Sequence, residues 1–257
     1  MRFAFILALA AAACGDDDGG GGVPDGGVTL SRVQSYIRPA PYPKLVVEID
    51  AIPGFTPRPA SSEAIRQELG QLLGKPGGVT VMQATGLTSR GADHAWFFSE
   101  LEALADATFD LAVDADTIKM HVLFLDGHYY GDTANQKILG VAWGNTHLAM
   151  FKQTIEETCA AAAGLNLFKE QMCQAAEQSI WLHELGHVIG LVGNGLAMAA
   201  PHADPAHAGH DASDGCVMYW AYEGGGAVDA LLGRFLGGNQ EALGFDAACL
   251  ADIDAAR

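Results

Sequence analysis

Residues 178–190 read Gln178-Ser179-Ile180-Trp181-Leu182-His183-Glu184-Leu185-Gly186-His187-Val188-Ile189-Gly190. Apolar Ile180, Trp181, Val188 and Ile189 surround the polar group, and the stretch predicts a helix. On a helix, residues four apart stand one turn above each other on one face. His183 and His187 then present two imidazoles to a single metal ion. Zinc suits them, because it is borderline-soft and takes four ligands tetrahedrally. Glu184, next to the first histidine, is placed to hydrogen-bond a water rather than to bind the ion. From there it can take a proton as water attacks a carbonyl, then pass it to the leaving amine. The bland alternative is a polar-faced helix that holds no metal.

Two histidines do not complete a catalytic zinc site, which takes three protein ligands and a water. Gly190 stands three residues after His187 and extends the motif to His-Glu-x-x-His-x-x-Gly. This resembles the metzincin peptidases, in which the glycine ends the helix in a turn and a third His follows three residues later. Here that place is taken by Gly193, which has no side chain, and neighbouring Asn194 is a poor zinc ligand. Further on runs His210-Asp211-Ala212-Ser213-Asp214-Gly215-Cys216-Val217-Met218. It is similar to the His-Cys, four residues, Cys-x-Met of archaemetzincins, a metzincin branch, with Asp211 in place of the first Cys. The resemblance implies that His210 is the third ligand and that residues 191–209 are an insertion before it. It also makes Met218 the Met-turn, the methionine under the zinc, and Met218-Tyr219 looks like the Met-Tyr of matrixins.

His202 and His207, in the inserted loop, stay open as alternative third ligands, with Asp204 behind them. Glu223 and Glu241 are the candidates if a downstream Glu completes the site, as in gluzincins, but Gly190 and Met218 argue against that class. The specific motifs cover residues 183–220, and of the downstream archaemetzincin cysteine motif only Cys249 remains. The resemblance implies an α+β, metzincin-like fold: a mixed twisted sheet, a long active-site helix and a loop-rich C-terminal subdomain, with a cleft near residue 190. It also implies that Val141-Ala142-Trp143 forms an edge strand that pairs with an extended substrate. Tyr219 and Tyr222 read as packing residues at the Met-turn, with an oxyanion role as the alternative. The Asp-rich stretch from Asp204 to Asp214 lacks the ordered spacing of a calcium loop.

Working outward, Lys44–Asp50, Gly78–Gln83 and Thr117–Leu125 predict strands, the last becoming uniformly apolar as a central strand does. Ile138–Trp143 and His147–Phe151 predict two more around Gly144-Asn145. Helices are predicted from Ser61 or Ser62 to about Leu73, over Ser99–Ala107, over Thr154–Ala163 and over Phe168–Gly190. Gly164-Leu165-Asn166 is then the turn of a helical hairpin that sets Cys159 opposite Cys173. With Cys14 set aside, four cysteines remain, and the favoured pairing is Cys159–Cys173 with Cys216–Cys249. Four buried thiols are the alternative.

The N-terminus reads as an address. Met1-Arg2 precedes an eleven-residue apolar run, Phe3–Ala13, too short to span a bilayer. Ala11-Ala12-Ala13-Cys14 resembles the lipobox of bacterial lipoproteins, with Ala11 where Leu is commoner. This predicts a signal peptide over residues 1–13, a lipid on Cys14, a flexible Gly/Asp-rich tether over residues 14–40, and one catalytic domain over residues 41–257. The chain would then be exported and anchored in the cell envelope. The formal net charge of −17 argues against a nucleic-acid partner, since phosphate binding needs clustered Lys and Arg. The leading reading is zinc-dependent hydrolysis of peptide bonds in a peptide or protein substrate. The competing one is a non-catalytic surface lipoprotein that binds zinc and acts as a binding module, although such a site has no use for the general base Glu184.

Overall fold

The structure is a computed structural model that describes residues 30–133, 136–162 and 168–257. In chain order the elements are α1 (Arg32–Ile37), β1 (Lys44–Ala51), α2 (Pro59–Leu72), β2 (Gly78–Gly86), β3 (Ala95–Trp96), α3 (Phe98–Thr108), β4 (Thr117–Leu125), β5 (His128–Tyr129), β6 (Gly140–Trp143), β7 (His147–Phe151), α4 (Lys152–Ala162), α5 (Lys169–Val188), α6 (Gly225–Leu236) and α7 (Ala247–Ala256). A short 3-10 turn, Trp220–Glu223, precedes α6. The main sheet has the order β2-β1-β4-β7-β6. Its first four strands are parallel, and β6 runs antiparallel to β7 at the edge.

Alternation along the strands sorts side chains between two cores. Leu45, Val47, Ile49, Met120, Val122, Phe124, Leu148 and Met150 point to a large core shared with α5. Leu123, Leu125, Ala149 and Phe151 point the other way, towards Trp96, Leu101 and Ala105 on β3 and α3. Helices cover both faces, so β4 is buried on both, which is why its sequence loses its polar alternation. The second face also carries paired charge: Lys119 Nζ donates to Glu48 at 2.6 Å, and the His121 ring lies 2.8 Å from the Asp50 carboxylate. These groups stay buried because each has a partner.

The active-motif helix forms as the sequence predicts and ends where Gly190 dictates. Gly190 has φ +85°, the left-handed conformation that favours glycine. Its N–H donates to the His187 carbonyl at 3.1 Å, and the next N–H, of Leu191, donates to the Gly186 carbonyl at 3.0 Å. That pair of bonds closes the helix C-terminus and turns the chain back. Ile180, Trp181 and Leu185 are fully buried. Each contributes about 1.5–3 kcal/mol relative to exposure, and Trp181 meets Phe124 of β4 edge-on at 5.0 Å.

Two expectations need correction. The domain begins before residue 41: α1 belongs to the fold, with Val33, Tyr36 and Ile37 buried. Ser31 and Gln34 form a capping box that starts it. Lys75 Nζ then pins the following segment by donating to the carbonyls of Ser35, Arg38 and Tyr42. The C-terminal part is loop-rich over residues 191–219, as expected, before it turns helical. It contains α6, whose Ala227, Val228, Leu231 and Phe235 face the core, and α7, capped by the Asp246 carboxylate.

The second correction concerns the cysteines. Cys159 and Cys173 are bonded, stapling α4 to α5; the turn between these helices lies outside the described residues, as do Cys14 and the leader. Cys216 and Cys249 are free thiols whose sulfurs lie 3.5 Å apart, well beyond the ~2.05 Å of a bond. Each sulfur has another polar neighbour. Cys216 Sγ accepts from the Asp246 N–H at 3.5 Å, and Cys249 Sγ lies 3.7 Å from Asp211 Oδ2. Among the described residues no helix is long and apolar enough to cross a membrane.

Candidate metal centre

His183 and His187 occupy successive turns of α5, and their Nε2 atoms stand 3.2 Å apart. The loop that follows brings His210 to them: its ring stacks on His183 at 5.3 Å and meets His187 edge-on at 4.9 Å. Ligand atoms of His183, His187, His210 and Glu223 all lie within 4.8 Å of one another. The inserted loop is held in place at several points. Asn145 Nδ2 donates to the carbonyls of His187 and Asn194. The Asp204 N–H donates to the His210 carbonyl, and the Asp211 N–H to that of Met218.

Each ring nitrogen that faces away from the centre has a polar neighbour. His183 Nδ1–H donates to the Val217 carbonyl at 2.6 Å. His210 Nδ1 lies 3.1 Å from the Ala208 carbonyl. Asn194 Nδ2 lies 2.8 Å from His187 Nδ1. The contacts of His183 and His210 with backbone carbonyls select the tautomer that leaves Nε2 as a lone pair, the form in which imidazole binds metal. Burial pulls the His183 pKa down to about 4. It also holds His187 well below the usual histidine value, with the His183 and His210 rings adding to the effect. Neutral imidazoles are what a cation requires.

Glu184 is 1% exposed, and its Oε1 has no hydrogen-bond partner. Burial and then the Glu223 charge push its carboxyl well above the usual carboxylate range. A cation beside it would reverse that logic and favour the carboxylate. The side chain lies flat against β6: a Cβ on Gly140 would stand 2.6 Å from Glu184 Cγ. Met218 is fully buried and packs its sulfur so closely on Gly186 that no methyl group fits there. It therefore lies against the helical turn that carries both histidines.

Not every predicted candidate comes to the centre. His202 is bracketed by Asp211 and Asp252, at 2.5 and 2.8 Å, and serves as a buried link between the loop and α7. His207 pairs with Asp204 at 2.7 Å and stacks on Trp220 at 4.2 Å, half exposed. Tyr222 donates its hydroxyl to the Asp214 carbonyl, and Tyr219 packs edge-on against it. Glu223, weighed in the sequence only as the ligand of a different class, sits with the three histidines. Asn194, dismissed as a ligand, instead orients one. A second group, Asp211, Cys216, Asp246 and Cys249, places ligand atoms within 4.8 Å of one another.

No family model matches the chain, and no curated protein matches it. Solved structures do. The chain is similar to a zinc-dependent peptidase from Methanocorpusculum labreanum, at 16% identity and a TM-score of 0.50, over 80% of this chain and 99% of that one. The fold resembles that of this zinc-dependent peptidase. Archaemetzincin from Methanopyrus kandleri aligns over 83% of this chain and 96% of its own, at 16% identity and a TM-score of 0.48. At such identity the likeness is one of fold, and the chemistry rests on the side chains described above.

Proposed function

We propose that this chain is a zinc-dependent metalloendopeptidase, exported by its N-terminal leader and held at the cell envelope by a lipid on Cys14. The observation that carries the reading is the meeting of His183, His187 and His210 beside a buried, unpartnered Glu184 carboxylate. The three imidazoles would hold zinc through Nε2. An ion there supplies a Lewis acid for the scissile carbonyl and brings the pKa of water to about 7. Glu184 takes the proton of the attacking water and delivers it to the departing amine. Gly140 leaves the carboxylate room to lie against the edge strand. A peptide extending the sheet along β6 would bring its carbonyl to Glu184. The leader and lipid rest on Phe3–Ala13 and on the small residues before Cys14.

The test is the zinc content of the chain purified without chelator, beside His202→Ala, His207→Ala and His210→Ala. One equivalent of zinc lost only with His210→Ala is expected. Glu184→Gln should keep that zinc and lose hydrolysis; surviving hydrolysis would refute the mechanism. A folded parent without zinc would refute the metal centre, and one that holds zinc without hydrolysing peptides would favour the non-catalytic binding module. Mass spectrometry of the mature N-terminus, with Cys14→Ser as control, tests the lipid.

A further inference from the structure

We infer that Glu223 is a fourth protein ligand of this metal centre, a carboxylate that occupies the open coordination position at rest and leaves it when substrate enters. The inference rests on the metal-centre reading above and deepens it. Glu223 Oε1 lies 2.7 Å from His210 Nε2 and 3.9 Å from His187 Nε2. At that distance a hydrogen bond to His210 is expected, yet the buried Nε2 has no hydrogen-bond partner. Ligand atoms of Glu223 and the three histidines all lie within 4.8 Å of one another, near enough for one ion to be shared among them.

The backbone holds Glu223 there while the side chain stays free to move. Its carbonyl accepts from the Leu139 N–H at 2.9 Å, and Gly224 bridges to Ile138 just before β6. The turn that carries it begins two residues after Met218. Yet the Glu223 side chain is 39% exposed, against 9% for His210 and 13% for His187. It can swing to solvent while the imidazoles cannot. Glu184 is not a substitute, because it is fully enclosed against Gly140. Four protein ligands close a zinc site in the manner of a structural centre, whereas catalysis needs the fourth position open. Glu223 thus sets how often the centre is available.

The experiment loads the full chain with cobalt(II) and records its visible d–d spectrum, then measures zinc affinity by chelator competition and acetohydroxamate binding. Parent, Glu223→Gln and Glu223→Ala are compared, with circular dichroism to confirm folding. Both variants should change the cobalt spectrum and weaken zinc binding about tenfold, the size of effect expected for losing a supporting group at a metal. Both should bind acetohydroxamate about tenfold more tightly, because a position closed nine-tenths of the time weakens an incoming ligand by that factor. An unchanged spectrum and unchanged zinc affinity overturn the inference while the three-histidine centre stands. A changed spectrum with hydroxamate binding unchanged or weaker overturns the gate. A parent that takes up neither metal removes the metal-centre reading along with it.

Discussion

Replacing Gly140 with alanine should slow peptide hydrolysis about a hundredfold while leaving the metal bound. The new Cβ would stand 2.6 Å from Glu184 Cγ, 2.7 Å from its Oε1 and 2.9 Å from its Cδ. Carbon atoms in contact prefer about 3.5–4.0 Å, so the base and the edge strand must separate by roughly 1 Å. α5 cannot yield, since it packs on α2, α4 and α6 in the main core. The shift therefore falls on the Glu184 side chain or on β6, and either moves the base relative to a peptide lying along that strand. A misplacement of about 1 Å costs on the order of a hundredfold in rate, or about 2.7 kcal/mol in the barrier. Overpacking also costs about 1–3 kcal/mol of stability, which the fold should survive. The assay is kcat on a mixed library of quenched fluorescent peptides, with zinc measured on the same samples. Gly70→Ala is the control, because a Cβ there meets nothing within 4 Å. Parental kcat in Gly140→Ala, or a fall in kcat matched by loss of zinc, would refute the argument that the glycine positions the base.

Lys75→Met removes the donor to three carbonyls that tie residues 35–42 to the fold. It should lower stability by about 3 kcal/mol and Tm by roughly 6–10 °C; a shift under about 2 °C would contradict that role. Burial pulls the His202 pKa down, but the Asp252 and Asp211 carboxylates outweigh it and hold the ring above the usual 6.5. A raised folded-state pKa means this stabilisation is complete below pH 6.5 and is lost as pH rises through the folded value. The Tm gap between parent and His202→Gln should therefore shrink from pH 6 upward, and a constant gap would mean that the ring is neutral in the fold. Alkylation of the denatured, unreduced protein followed by mass spectrometry should find Cys159 and Cys173 bridged and Cys216 and Cys249 modified. A second bridge would require those two sulfurs to close from 3.5 Å.

The parts legible in the sequence are those whose causes are local. β4 announces itself by a run of apolar residues that only a doubly covered strand can bury. The closing turn of α5 follows from a single glycine that tolerates φ +85°. The pair His183 and His187 follows from helical geometry alone. α1 has a local signal as well, the Ser31-x-x-Gln34 box, but it is only six residues long. α6 is obscured by Gly224-Gly225-Gly226, which read as loop. What remains depends on contacts between distant residues. His202 is withdrawn from the centre by Asp252, fifty residues away, which no spacing rule anticipates. Glu223 reaches the three histidines because the Met218 turn and β6 carry it there, not because of its distance along the chain from His187.

Fourteen of the twenty residues of α5 are buried, the two histidines' flanking positions and Glu184 among them. The helix carries two of the candidate metal ligands and is the central beam of the core, so most changes in it carry the destabilisation typical of core substitutions. Residues 191–223 stand in the opposite position: they reach the centre through His210 and Glu223 but are irregular and largely superficial. In a lineage of such chains, the freedom to alter which molecules are handled, and how readily the centre responds, is therefore concentrated in that one segment. The helix would be inherited nearly unchanged while the loop diverged around it.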